Sequence, residues 1–158
     1  MLSDSEKSCE DVVLESTVVI GMTESSAREV ASRLIDELVN AGQLPAELRE
    51  AAKDAVHARE VAGGCTALAH GIAIPHGYLD ELASPVMALG IHSSGVDCSA
   101  IDGLPTRIFI LILNHRDSRS HIRVLTEVNR RLLRPEVRGQ LLLAKSRTDV
   151  MELLCPSA

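Results

Sequence analysis

Apolar residues recur along the chain with two different periods, and the switches between them mark out the elements. Ala27, Val30, Ala31, Leu34, Ile35, Leu38 and Val39 follow the i, i+3, i+4, i+7 rule, which predicts a helix with one apolar stripe. Ser26 and Glu29 stand at capping-box spacing at its start, and Gly42 supplies the stop. Pro45 suits the first residue of a second helix carrying Leu48, Ala52, Ala55, Val56 and Arg59, which has to end by Gly63-Gly64. Shorter β-prone runs lie at 17–20, 66–68, 71–74 and 86–92, and Ala69-His70 between the second and third suggests a hairpin or paired bend. Asp102-Gly103 marks a turn, after which residues 107–113 (RIFILIL) are apolar almost throughout. Such a run suits a central strand covered on both faces.

The last third reads as helical. Asp117 or Ser118 can cap a helix with Ile122, Leu125, Val128, Leu132 and Leu133 on one stripe. Pro135 opens another with Val137, Leu141 and Leu142 inward, and a final short one holds Val150, Leu153 and Leu154. Strands and helices interleaved in this way predict a single α/β domain, a mixed β-sheet flanked by helices on its faces, over residues 15–158. Residues 1–14 read as a polar, mobile lead-in.

Composition narrows the function more than the fold. One Phe, one Tyr and no Trp leave a core built of Leu, Ile, Val and Ala, and few rings on which a base or sugar could stack. A net charge of −6 disfavours nucleic acid as the main partner, although most of the arginines lie between Arg107 and Arg147. Cys9, Cys65, Cys98 and Cys155 form no C-x-x-C pair, and neither a signal peptide nor a membrane-spanning run is present. Free thiols in a reducing bacterial cytoplasm are the expectation.

Among six histidines, one is framed. In Gly71-Ile72-Ala73-Ile74-Pro75-His76-Gly77 an apolar run meets a proline, which ends ladder pairing, then presents an imidazole, and a glycine leaves room for a group to approach it. That arrangement suits a nucleophile better than a core histidine. No histidine pair has zinc-finger or H-x-x-x-H spacing, so no metal is expected. Neither a G-x-S-x-G elbow, a Walker A loop nor a G-x-G-x-x-G fingerprint occurs. A nucleophilic histidine without a nucleotide site suggests that phosphate arrives on another protein. His121, in the first turn of a helix, stands where N–H groups and the positive dipole end attract anions, though its stripe with Leu125, Val128 and Leu132 also fits a core histidine. Arg59 offers a guanidinium fork for phosphate oxygens, though a cation near a helix C-terminus is also stabilised by the dipole.

With these residues placed, residues 15–155 resemble the enzyme IIA domain of the fructose/mannitol class of the bacterial phosphoenolpyruvate-dependent sugar phosphotransferase system, a family that includes nitrogen-related enzyme IIA proteins. GIAIPHG at 71–77 carries most of the resemblance. Ala58-Arg59-Glu60, Gly95-Val96-Asp97, Asp102 to Pro105 and Ser120 to Leu125 (S-H-I-x-x-L) support it. The resemblance implies that His76 accepts phosphate from the histidine of an HPr-like carrier and passes it to an enzyme IIB domain for sugar uptake. It implies His121 as the second active-site histidine, Arg59 as the nearby arginine, Thr66 and Gly77 as phosphate-binding positions, and no cofactor. A standalone nitrogen-related regulator, whose phosphorylation state controls binding to transporters or regulators, is the alternative. Ala69-His70, Cys98, Tyr78 and Gly63-Gly64-Cys65 depart from the usual family pattern.

Overall fold

The computed structural model describes residues 9–63 and 66–156, and leaves the side chains of residues 9, 14, 61–63, 120 and 121 undescribed. The chain runs α1 (Cys9–Leu14), β1 (Thr17–Met22), α2 (Ala27–Asn40), α3 (Arg49–Gly63), β2 (Ile72–Ala73), β3 (His76–Tyr78), β4 (Val86–Val96), β5 (Thr106–Asn114), α4 (Ser120–Leu132), α5 (Pro135–Leu143) and α6 (Arg147–Leu154). β1 pairs parallel with β4, and β4 pairs antiparallel with β5. β2 and β3 both lie parallel on the far edge of β5. The result is a mixed sheet with helices on both faces.

Strand β5 is the middle of the molecule. Phe109, Leu111 and Leu113 point to one face, where they join Val30, Leu34 and Leu38 of α2 and Ala52 and Val56 of α3. Ile108, Ile110 and Ile112 point to the other, against Val124, Val128 and Leu132 of α4, Leu141 of α5 and Val150 of α6. The uninterrupted apolar run therefore belongs to a strand that has no solvent face, as expected. Alternate residues serve two separate cores.

Pro75 acts differently from the expectation that it ends pairing. Ile72 stands opposite Ile108 and His76 opposite Ile112, so β2 and β3 hold one register along β5 with only two residues unpaired between them. In a parallel ladder at this register the bond between would come from the N–H of residue 75 to the carbonyl of Ile110. Proline has no N–H, so that rung is missing. The Pro75 carbonyl still accepts from Ile112 N–H at 3.1 Å, and pairing resumes at the histidine. His76 is thus held in a ladder rather than set beyond its end. The paired bend before it forms as expected: Ala67 bridges Ala73, Leu68 N–H donates to the Ile72 carbonyl at 2.7 Å, and Ile74 N–H to that of Thr66 at 3.2 Å.

Four boundaries differ from the sequence pattern. The lead-in assigned to 1–14 contains α1, whose Val12 and Val13 are each only 3% exposed; an adjacent valine pair among acids reaches the second core. Residues 1–8 lie outside the described part of the chain. Pro45 precedes a 3-10 turn at Ala46–Leu48, and α3 proper begins at Arg49. β4 continues past His92 to Val96 through a bulge between Ile91 and Val96. α4 is preceded by Arg119 with no side-chain cap, and the backbone of Asp117 and Ser118 forms a turn on His115. Asp117 N–H donates to His115 Nδ1 at 3.1 Å, and Ser118 N–H to the His115 carbonyl at 3.1 Å. The Ser26–Glu29 cap forms as read, with Glu29 N–H donating to Ser26 Oγ at 3.2 Å.

Candidate functional site

The strap of residues 66–78 brings its histidine under the last turns of α3, and Gly77 permits the approach. A Cβ on Gly77 would lie 3.0 Å from Val56 N and 3.2 Å from Ala55 Cβ, so only glycine lets β3 sit this close to the helix. The space that a side chain at position 77 would take is therefore occupied by α3. Arg59 stands three and four residues beyond Val56 and Ala55, on the same helical face, and its side chain reaches over the imidazole. Arg59 Nε donates to His76 Nε2 at 3.1 Å.

The other ring nitrogen decides the tautomer. His76 Nδ1 lies 3.0 Å from the Ile74 carbonyl oxygen, which can only accept. The proton therefore sits on Nδ1, and Nε2 carries the lone pair that the guanidinium contacts. The ring is half-buried while Arg59 is exposed, so the lone pair is covered by a side chain that lies on the surface. Tyr78 stands edge-on to the ring at 6.3 Å with an interplanar angle of 80°.

Thr66 closes the other side of the strap. Its hydroxyl donates to Glu60 Oε1 at 2.7 Å, next to Arg59 on the helix. The strap and the helix end are thus tied by two side-chain bonds, Arg59 to His76 and Thr66 to Glu60. His121 has its backbone in the first turn of α4, and its side chain lies outside the described residues. The next residue, Ile122, lines an open concavity of about 400 Å³ together with Ile74, Leu68, Leu125 and Leu133. The start of α4 therefore borders the strap two residues before His76.

Two further residues have contacts that the sequence pattern does not reveal. Asp102 Oδ2 accepts from His70 N–H at 2.8 Å, and its Oδ1 accepts from Leu104 N–H at 3.1 Å. These N–H groups, His70's first, hold the Asp102 carboxyl below the usual aspartate range. The contact braces His70 in a left-handed conformation (φ 67°) at the point where the chain turns into β2. His92, by contrast, is 3% exposed. Its Nδ1 accepts from Gly95 N–H at 2.8 Å and Ser94 N–H at 3.3 Å, which leaves the proton on Nε2 to donate to the Glu24 carbonyl at 2.7 Å. Its role is to close the β4 bulge. Asp-Gly shows in sequence only as a turn, and His92 only as the end of a strand.

Neither Cys98 nor Cys155 is in a disulfide, while Cys65 and the Cys9 side chain lie outside the described residues. Among the described residues no group of three His, Cys, Asp or Glu side chains gathers as a ligand set, and no helix is long and apolar enough to cross a membrane.

Known proteins resemble this chain in sequence and in fold. A family model described as "Phosphoenolpyruvate-dependent sugar phosphotransferase system, EIIA 2" matches residues 12–155. The chain is 28% identical over 145 residues to the PTS system fructose-specific EIIABC component of Bacillus subtilis, covering 91% of this chain but only 22% of that protein. It is 32% identical over 122 residues to the fructose-specific EIIA component of Haloferax volcanii (77% of each chain), and 31% identical over 112 residues to a nitrogen regulatory protein of Pseudomonas aeruginosa (69% and 72%). In fold it is similar to nitrogen regulatory protein IIA-Ntr of Neisseria meningitidis, with a TM-score of 0.74, 24% identity, and coverage of 89% and 94%. Escherichia coli IIA mannitol gives a TM-score of 0.73 at 24% identity, with 90% and 97% covered. With nearly the whole domain matched, the chain belongs to the EIIA type 2 family of the phosphoenolpyruvate-dependent sugar phosphotransferase system.

Proposed function

We propose that His76 Nε2 accepts a phosphoryl group from the phosphohistidine of an HPr-like carrier and hands it to an enzyme IIB domain. The observation that carries this reading is the tautomer: Nδ1–H is committed to the Ile74 carbonyl, while the Nε2 lone pair is covered by the exposed side chain of Arg59. As the donor's P–N bond breaks, the lone pair forms a new P–N bond, and no proton has to leave the ring. The positive charge left on the imidazole is stabilised by the Ile74 carbonyl. Arg59 swings from the nitrogen to the equatorial oxygens, supplying a charge-assisted donor where charge accumulates. Thr66, by rotating its hydroxyl from Glu60, and His121, from the first turn of α4, are the further donors proposed. Gly77 serves through its closeness to α3, which holds the ring beneath Arg59. Passage to enzyme IIB reverses the step and returns a neutral ring, so neither metal nor cofactor is called for.

A protein donor suits the concavity beside the strap, which is apolar and open. E. coli enzyme IIA mannitol, similar to this chain in fold, is solved in complex with phosphorylated enzyme IIB mannitol, which supports a IIB domain as the acceptor. Sugar uptake is the first reading. Regulation of transporters or other targets by the phosphorylation state is the second, favoured by the 31% identity to a nitrogen regulatory protein.

Incubation with phosphoenolpyruvate, enzyme I and HPr is expected to place an acid-labile phosphate on the protein, and His76→Ala to abolish it. Label that persists in His76→Ala would sink the assignment. Onward transfer to an enzyme IIB domain separates uptake from pure regulation.

A further inference from the structure

We infer that Tyr78 is a positioning residue for His76: its ring holds the imidazole plane while Arg59 is away from Nε2. The inference rests on the reading that His76 is the phosphoryl acceptor, and gives a role to a position at which the chain departs from the usual family pattern. Side chains alternate between the two faces of a strand. In β3 a side chain at Gly77 would meet Val56 and Ala55 of α3, so His76 and Tyr78 both project from the opposite face. This three-residue strand is pinned at each end. Ile112 N–H donates to the Pro75 carbonyl at 3.1 Å before it, and Leu79 N–H to the Asn114 carbonyl at 2.9 Å after it. The His76 and Tyr78 ring centroids lie 6.3 Å apart with planes at 80°, within the range in which edge-to-face rings attract. The chain holds one Phe, one Tyr and no Trp. Phe109 is fully buried in the core, so the other phenyl ring of the chain is the one that stands beside the nucleophile.

Among the described residues the imidazole meets Arg59 at Nε2, the Ile74 carbonyl at Nδ1 and the Tyr78 ring beside it. Phosphoryl acceptance gives up the first of these, because the attacking lone pair has to face phosphorus. The hydrogen bond that remains is the one to Ile74, and a ring held at one atom can rock about that bond. A ring packed against it at 80° opposes the rocking. In-line transfer is sensitive to such misplacement, since the lone pair has to lie along the P–N bond that breaks. Nothing in this role calls for the tyrosine hydroxyl, so a phenylalanine should hold the imidazole equally well.

The test compares wild type, Tyr78→Phe and Tyr78→Leu, each below its own melting transition, with two donors. One is an HPr-like carrier charged by enzyme I and phosphoenolpyruvate; the other is phosphoramidate, a donor too small to reach beyond the site. Label at His76 is read by peptide mass. Tyr78→Leu is expected to slow labelling about fivefold with either donor, through kcat and at unchanged KM for the carrier, and Tyr78→Phe to stay within about twofold of wild type. In the resting proteins the ¹⁵N chemical shifts of His76 should report Nδ1–H in wild type and Tyr78→Phe, and a mixture of tautomers in Tyr78→Leu. A raised carrier KM in Tyr78→Leu with phosphoramidate labelling unchanged makes Tyr78 a contact of the donor protein and overturns the inference. So does a Tyr78→Phe as slow as Tyr78→Leu, which assigns the effect to the hydroxyl, or a Tyr78→Leu that keeps both the rate and the Nδ1–H signal. Absence of carrier-dependent label at His76 in wild type overturns the phosphohistidine reading instead, and the tautomer signals then still decide whether Tyr78 holds the ring.

Discussion

His76 and His92 lie in one sheet, each with both ring nitrogens engaged, yet they are built for opposite purposes. His92 is buried, and every partner of its ring is backbone: the N–H groups of Ser94 and Gly95 and the carbonyl of Glu24. His76 is half-buried, and only Nδ1 is held by backbone. Its Nε2 meets Arg59, an exposed side chain on a neighbouring helix. A backbone partner cannot leave without unfolding the segment that carries it, whereas a guanidinium on a flexible stem can move within a side-chain rotation. The difference teaches that burial and hydrogen-bond count do not by themselves separate a structural histidine from a reactive one. What separates them is whether the lone-pair nitrogen has a partner that can be exchanged.

The largest expected effect breaks the exchangeable contact. Arg59→Ala should slow phosphoryl acceptance at His76 by about 10²-fold, the size of losing one aimed donor at a developing negative charge. Its melting temperature should stay close to wild type, because Arg59 is exposed. Single-turnover transfer beside a thermal melt reads both quantities. A large loss of stability with intact transfer would place Arg59 in the same structural class as the partners of His92.

His92→Ala should give the mirror image. It removes three hydrogen bonds in a site that is 3% exposed and leaves buried backbone groups unpaired, at a cost of about 2 kcal/mol. His76 labelling of the folded fraction should persist. Denaturant unfolding gives the first number and labelling below the transition the second. Should His92→Ala leave stability unchanged while abolishing labelling, the division between the two histidines collapses.

How much of this is legible in the chain depends on range. Periodicity placed α2 and the central β5, since each obeys a local rule with a single physical reading: one apolar stripe, or no polar face at all. The framing of His76 by Pro75 and Gly77 was equally visible, but the reasons differ from the apparent ones. Pro75 removes one rung within a continuing register, and Gly77 yields to the backbone of α3. Both facts need the identity of the neighbouring element, which no local pattern contains. Arg59 could be suspected from its chemistry and its motif, whereas its contact with Nε2 follows from a helix and a strand meeting across 17 positions of sequence. His92 and Asp102 each join a local turn to a distant backbone group, Glu24 for His92 and His70 for Asp102, and that distant half carries no local signal.

Asp102 gives the smallest effect and the finest refinement, since it shows how the strap is held at the end away from Arg59. Its carboxylate accepts from His70 N–H and Leu104 N–H, and those donors favour the charged form. A carboxyl whose folded-state pKa lies below its unfolded value contributes stability that is fully present above the unfolded pKa. That contribution is lost as pH falls through the folded one. Wild-type protein should therefore show a small loss of stability as pH drops below the ordinary aspartate range, and Asp102→Asn should lack that increment. Because Asp102 is exposed, added salt and water competition keep the increment minor. A more telling readout is hydrogen exchange at His70, whose N–H should be protected in the wild type above that pH window and released in the variant. If His70 exchange is the same in both proteins at neutral pH, Asp102 does not brace the turn, and the left-handed His70 must be held by the Ala67–Ala73 bridge and the β2 ladder alone.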